Sequence, residues 1–316
     1  MTGYTLKRGA SLLPTLLGTV TLVFLMIRLI PGDPAAAVGG ENLGEEALSA
    51  LREKLGVDGS IPAQYAEFIG DLARFDLGQS IHTGLPVTQV IRDALPVTAA
   101  VALLSVFLGT IIAVPLGALA AYARSRGKVV SDQALTGFAM GIDTMPAFWV
   151  ALVLILVFSL RLGWFPVSGQ IDWADPLATT RRLFLPVVVL GLAQVASVAR
   201  VTRTAVLESL QDDYVRTARA LGTPESVILF KHALRNSALP IVTITGLSVG
   251  RLLGGTVIIE NIFSIPGMGT ALVQAINARD YPIVQGVILV FALLFILVNF
   301  ATDLIYTRVD PRVGLN

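Results

Sequence analysis

The chain has no cysteine among its 316 residues, which excludes disulfides and thiolate metal sites. It has two histidines, His82 and His232, too few for a histidine-rich metal centre. Charged residues make up only 14%, against roughly 25% in a soluble domain. No G-x-x-x-x-G-K-[ST] loop is present to cradle phosphates. The single Gly-Lys pair, Gly127-Lys128, is followed by Val129 and lacks the upstream glycine. An intramembrane enzyme would need paired aspartates or an H-E-x-x-H helix, and the sequence offers neither.

What is present is apolar. Hydrophobic residues reach 54% and the mean hydropathy is +0.74. Runs of about 20 apolar residues recur, so the expected class is an all-α polytopic membrane protein. Six spans are expected, at 9–30, 97–122, 134–160, 183–205, 238–260 and 283–306. Lys7 and Arg8 before the first run and Ala35-Ala36-Ala37 after it have the look of a signal peptide. The run is too long for a typical signal core, so it is expected to be an uncleaved first span. Lysines and arginines set the orientation. With the N-terminus inside, the short loop 123–132 carries Arg124, Arg126 and Lys128 on the cytoplasmic side, and both termini are cytoplasmic. Segment 31–96 then lies outside and is acidic, with helical spacing in Gly44–Leu55 and Pro62–Phe75. The expected organisation is a tail and first span (1–30), an extracytoplasmic helical segment (31–96) and a core (97–316). Small residues four apart, Gly109/Ala113/Gly117/Ala121 and Gly246/Gly250/Gly254, form ridges suited to close helix packing.

One segment, 212–236, breaks the apolar pattern. Asp212 and Asp213 suit the start of a short helix, where the macrodipole favours negative charge. Gly222 suits its left-handed end. Thr223 is expected to cap a second helix, with Pro224 at its first position and Glu225 in its first turn. That helix groups Val227, Phe230 and Leu234 on one face, flanked by Lys231 and Arg235. Lying on lipid headgroups is the ordinary expectation for such an amphipathic hairpin.

Its spacing is more specific. Arg216-Thr217-Ala218, three residues, Gly222, nine residues and His232-Ala233-Leu234-Arg235 resemble the EAA coupling loop of ABC-importer permeases. Arg216, His232 and Arg235 depart from the general pattern EAA-x3-G-x9-I-x-L-P and fit the dipeptide/oligopeptide/nickel branch. Further motifs follow in order: Ile30–Pro34, Leu55–Asp58, Gln64-Tyr65, Asp76–Ser80, Met145–Trp149, Pro166–Gly169, Glu260–Gly269, Arg279–Pro282 and Asp310–Arg312. The resemblance covers nearly the whole chain and implies a type I ABC-importer permease fold. It implies import driven by ATP hydrolysed in partner subunits, so ATP and Mg belong to those partners and no cofactor is held by this chain. The implied partners are a second, homologous permease, one or two ABC ATPase subunits, an extracytoplasmic substrate-binding protein and membrane lipid, with no nucleic acid. Asp213, Arg216, Ala218, Gly222, Glu225, Phe230, Lys231, His232 and Arg235 are the implied coupling residues. The branch handles peptides, nickel, haem and other small solutes, and peptides are the expected cargo.

Ionisable residues inside spans are pathway candidates because burying them is costly. Asp143 and Arg251 fit, either as a structural pair or facing a cavity, and Glu260 ends the fifth span on the outer side. Capping or interhelical hydrogen bonding is the ordinary expectation for Glu260 and Asn261. A stand-alone channel or carrier is the competing class. It would need no docking hairpin and often shows two similar halves, which this chain does not.

Overall fold

The computed structural model describes residues 14–26, 35, 44–55 and 60–309. They form helices α1 (Pro14–Met26), α2 (Glu45–Leu55), α3 (Ile61–Ala73), α4 (Val87–Ser125), α5 (Val129–Asp143) and α6 (Ala147–Arg161, π-helical from Ile155). After these come α7 (Pro176–Ser209), α8 (Asp213–Ala220), α9 (225–236, π-helical over Ile228–Ala233), α10 (Ala238–Ile262), α11 (Met268–Ala278) and α12 (Tyr281–Val309). No strand occurs among the described residues, only an isolated bridge between Gln79 and Pro86.

Among the described residues four helices, α4, α7, α10 and α12, are long and apolar enough to cross a membrane, and α5 with α6 makes a fifth crossing if counted together. The first expected span lies partly outside the described residues, and its described part, α1, is 13 residues long. The third span differs from expectation. Instead of one run over 134–160, α5 and α6 meet at 86°. Pro146 explains the break, because a proline disfavours helical backbone in the residue before it and removes a donor. Hydropathy also understated two helices. α4 begins at Val87 rather than 97, with Pro96 inside it, and α7 begins at Pro176 rather than 183. Hydropathy marks only the lipid-facing length, whereas Asp175 accepts a hydrogen bond from the Ala178 amide (3.0 Å) and starts α7 about two turns earlier.

The core is built around α4 and α7, the most extensively packed pair. The small-residue ridge of α4 faces α7. A β-carbon at Gly109 would sit 2.5 Å from the Gly191 carbonyl oxygen, and one at Gly117 would sit 2.4 Å from that of Ala199. The α10 ridge turns to α12, where Gly246 meets Thr302 and Gly250 meets Phe295. Both ridges therefore serve packing within the chain; Gly254 alone has open space. Gln194 reinforces the α4–α7 contact, its amide nitrogen donating to the Ser105 (2.8 Å) and Val106 (3.1 Å) carbonyls. At one end of the bundle, α3 lies against α1. Tyr65 and Phe68 pack on Phe24, and the Tyr65 hydroxyl meets Thr21 at 2.8 Å.

Candidate functional site

The 212–236 hairpin sits at the opposite end, on the tips of α4 and α7. Its turn follows from Gly222, whose φ of +74° is left-handed. The Thr223 amide reaches back to the Ala218 carbonyl (3.0 Å) and the Gly222 amide to that of Arg219 (3.0 Å). These two bonds satisfy carbonyls that α8 would otherwise leave open. The start of α9 falls one residue later than expected. Pro224 occupies the capping position, extended at φ −57° and ψ 139°, and Glu225 is the first helical residue. Thr223 therefore precedes the cap, and its amide closes α8.

The buried face of α9 also differs from expectation. Ile228, Leu229 and Ala233 point into a cluster with Ala118, Ala121, Val206, Leu210 and, from α8, Val215. Leu234 packs at its edge, whereas Phe230 is 48% exposed. The π-helical winding of 228–233 places residues further apart per turn than the 3.6 spacing behind the expected Val227/Phe230/Leu234 face. The outer surface of the hairpin thus presents Leu221, Phe230, Lys231 and Arg235, all exposed. His232 and Ala218 are half-buried.

Glu225 fixes the hairpin from the side. It accepts from Arg219 of α8 (3.0 Å) and from Arg126 just beyond α4 (2.8 Å). Asp213 and Arg216 pair at 3.2 Å on the open surface of α8, where such a pair contributes little. The sequence reading missed a second clamp near this end. Arg203 of α7 grips Asp132 of α5 through both carboxylate oxygens, at 2.5 and 2.6 Å. Asp132 falls within the loop 123–132 expected from the sequence but lies in the first turn of α5, and its partner is 71 positions away.

At the far end two of the sequence motifs meet. In the Asp76–Ser80 motif, the Ser80 hydroxyl donates to buried Asp280 of the Arg279–Pro282 motif (2.5 Å). The Ile81 amide reaches the other Asp280 oxygen at 3.3 Å. Two others, Pro166–Gly169 and Glu260–Gly269, border an open cavity of about 680 Å³ with Asp93, Trp173 and Gln274.

Glu260 is fully buried. One carboxyl oxygen accepts from the Thr98 hydroxyl (2.7 Å), the other from the Gly269 amide in the first turn of α11 (2.8 Å). Thr98 in turn accepts from the Met268 amide (2.8 Å). Glu260 thus caps α11 from a different helix, and Gly267 and Gly269 leave it the space. A β-carbon at Gly267 would lie 2.3 Å from its Oε2. Asn261 joins the same turn, donating to the Val257 (2.8 Å) and Gly269 (3.3 Å) carbonyls. Arg251, midway along α10, is exposed on a smaller cavity of about 260 Å³ with Phe148, Gln194 and Ser248. The Asp143 side chain lies outside the described residues, so the structure does not address a pairing with Arg251.

The chain is therefore a helical, multi-pass membrane protein with a basic, outward-facing hairpin at one end and a capped, polar-lined vestibule at the other. It belongs to the family of binding-protein-dependent transport system inner membrane components. That family's profile matches residues 113–315, and the profile of its N-terminal region matches residues 1–102. A permease protein of Brucella suis is 40% identical over 314 residues, covering 99% of both chains. The di/tripeptide transport system permease protein DppB of Pseudomonas aeruginosa is 39% identical, again over 99% of both. The dipeptide transport system permease protein DppB of Alkalihalophilus pseudofirmus is 36% identical over 99% of both. Among solved structures, a chain of the inward-facing MetNI methionine ABC transporter superposes with a TM-score of 0.56 at 19% identity. The match covers 70% of this chain and 97% of that one, so the two share the fold.

Proposed function

We propose that this chain is the permease subunit of an ATP-driven peptide importer, with the 212–236 hairpin as the element an ABC ATPase grips. The observation that carries this reading is the hairpin's two-sided construction. Its inner face is anchored to α4 and α7 through Ile228, Leu229 and Ala233. Its outer face leaves Leu221, Phe230, Lys231 and Arg235 unburied. A rod fixed on one side and apolar-basic on the other transmits a push to the spans it stands on. Residues 31–96 then form an extracytoplasmic cap and both termini are cytoplasmic, which puts the basic hairpin end inside. The described residues make four or five crossings, and a second, homologous permease in a heterodimer completes the path. One or two ABC ATPase subunits bind ATP and Mg below it. A substrate-binding protein delivers cargo to the vestibule around Trp173 and Gln274. Peptide cargo is supported by the names of the relatives.

The test is uptake of a labelled di- or tripeptide into vesicles carrying this chain and its partners. ATP-dependent uptake that is lost when the ATPase subunits are omitted is expected. Uptake by this chain alone, or import of a metal ion in place of peptides, contradicts the reading.

A further inference from the structure

A cation near the middle of a membrane-crossing helix is costly unless it has a partner or a task. Arg251 is such a cation, and its described polar contact is a neutral one, the Ser248 hydroxyl at 3.3 Å. Its side chain is exposed on the 260 Å³ cavity between α6, α7 and α10. Phe148 and Ile258, each about half exposed, stand at the open side, and Leu190 and Ile259 form the apolar depth. Apolar walls lower the local dielectric and strengthen any ion contact made there.

Gln194 supplies a second, independent observation. It lines the same cavity and is only 1% exposed. Its amide nitrogen is committed to two α4 carbonyls, which fixes the orientation of the side chain. Its Oε1 is buried without a hydrogen-bond partner among the described residues. A buried acceptor without a donor is uncommon, and the residue that carries it borders a cavity that also holds a cation. A peptide's C-terminal end carries the complementary pair, a carboxylate for the guanidinium fork and an N–H for an amide oxygen.

We propose that this cavity holds the carboxylate end of the transported peptide, with Arg251 as the cation that receives it and Gln194 as the neighbouring acceptor. The proposal rests on the peptide reading above. It makes Arg251 a specificity-determining residue within the membrane, separate from whatever the binding protein selects.

The test uses the complete complex in proteoliposomes, with liganded binding protein at saturation, and compares a dipeptide with its C-terminal amide. The wild type is expected to move the free acid about tenfold faster than the amide, and Arg251→Gln to reduce the acid to the amide's rate. The acid-to-amide ratio is thus expected to fall to about one in that variant, and Arg251→Lys to recover part of it. Equal slowing of acid and amide, or an unchanged acid rate, overturns the proposal. The exchanged variant Asp143→Arg with Arg251→Asp is expected to remain slow for the acid. Its recovery would assign the two residues to a structural ion pair and overturn the proposal too. A wild-type complex that moves neither compound shows instead that the peptide reading has failed, before any variant is made.

Discussion

Replacing Gly222 with valine is expected to uncouple the transporter: transport falls about tenfold or more while ATP hydrolysis by the complex continues and the protein stays in the membrane. The argument is conformational. Gly222 has φ +74°, and a β-carbon there would meet nothing within 4 Å. The cost of a side chain is therefore the left-handed backbone itself, about 1–2 kcal/mol and more for a β-branched residue. That is too little to unfold a hairpin held by Ile228, Leu229 and Ala233 and by the two guanidinium contacts of Glu225. It is enough to change how α8 turns into α9, because the two bonds that close α8 run through this residue. The valine variant should thus keep its fold and lose the angle at which α9 meets its partner. Gly222→Ala should fall between the two. A valine variant that transports at the wild-type rate removes the coupling role from the hairpin.

Glu260→Ala is expected to be the most damaging single change outside the hairpin, and through stability rather than cargo recognition. It orphans the Gly269 amide and the Thr98 hydroxyl in a buried site, at about 1–3 kcal/mol for each unpaired group. It also empties the space that Gly267 and Gly269 leave for the side chain. α11 would then be held to α4 and α10 only by the Met268–Thr98 and Asn261–Gly269 hydrogen bonds. The check is the thermal midpoint of the purified complex, together with protease sensitivity of 264–280, both expected to worsen clearly. Glu260→Gln keeps one acceptor but turns an amide NH2 toward the other donor, so an intermediate loss is expected. Wild-type stability in the alanine variant would return Glu260 to the pathway candidates.

These two sites also mark how much could be read from the sequence. The hairpin was legible because its signals are local. Gly222, the acidic start at Asp213 and the flanking polar residues each dictate backbone within a few positions. Its buried face was not legible, since the π-helical turn over Ile228–Ala233 shifts the period that separates Phe230 from the core. Glu260 reads as a pathway candidate because an acid at the end of a span invites it, although capping is the ordinary expectation. Its three-centre contact with Thr98 and α11 spans 162 positions of sequence, and no periodicity reports it. The same holds for Arg203 with Asp132 and for Ser80 with Asp280. The motifs near Asp76 and Arg279 were each recognisable alone, but only the fold brings their side chains together. The break at Pro146 had a local signal in the proline, outweighed by the unbroken apolar run on either side.

The absence of cysteine gives a direct measurement of the central claim, that the outer face of α9 is where an ATPase moves this chain. A single cysteine introduced at Phe230 is unique in the protein and sits on the exposed side. In the assembled complex it should cross-link to an ABC ATPase subunit, with a yield that changes when ATP is bound. It should leave an equivalent cysteine at exposed Phe75, at the far end of the bundle, unlinked to that subunit. A Phe230 cysteine that captures lipid or nothing, and is indifferent to ATP, would contradict the account.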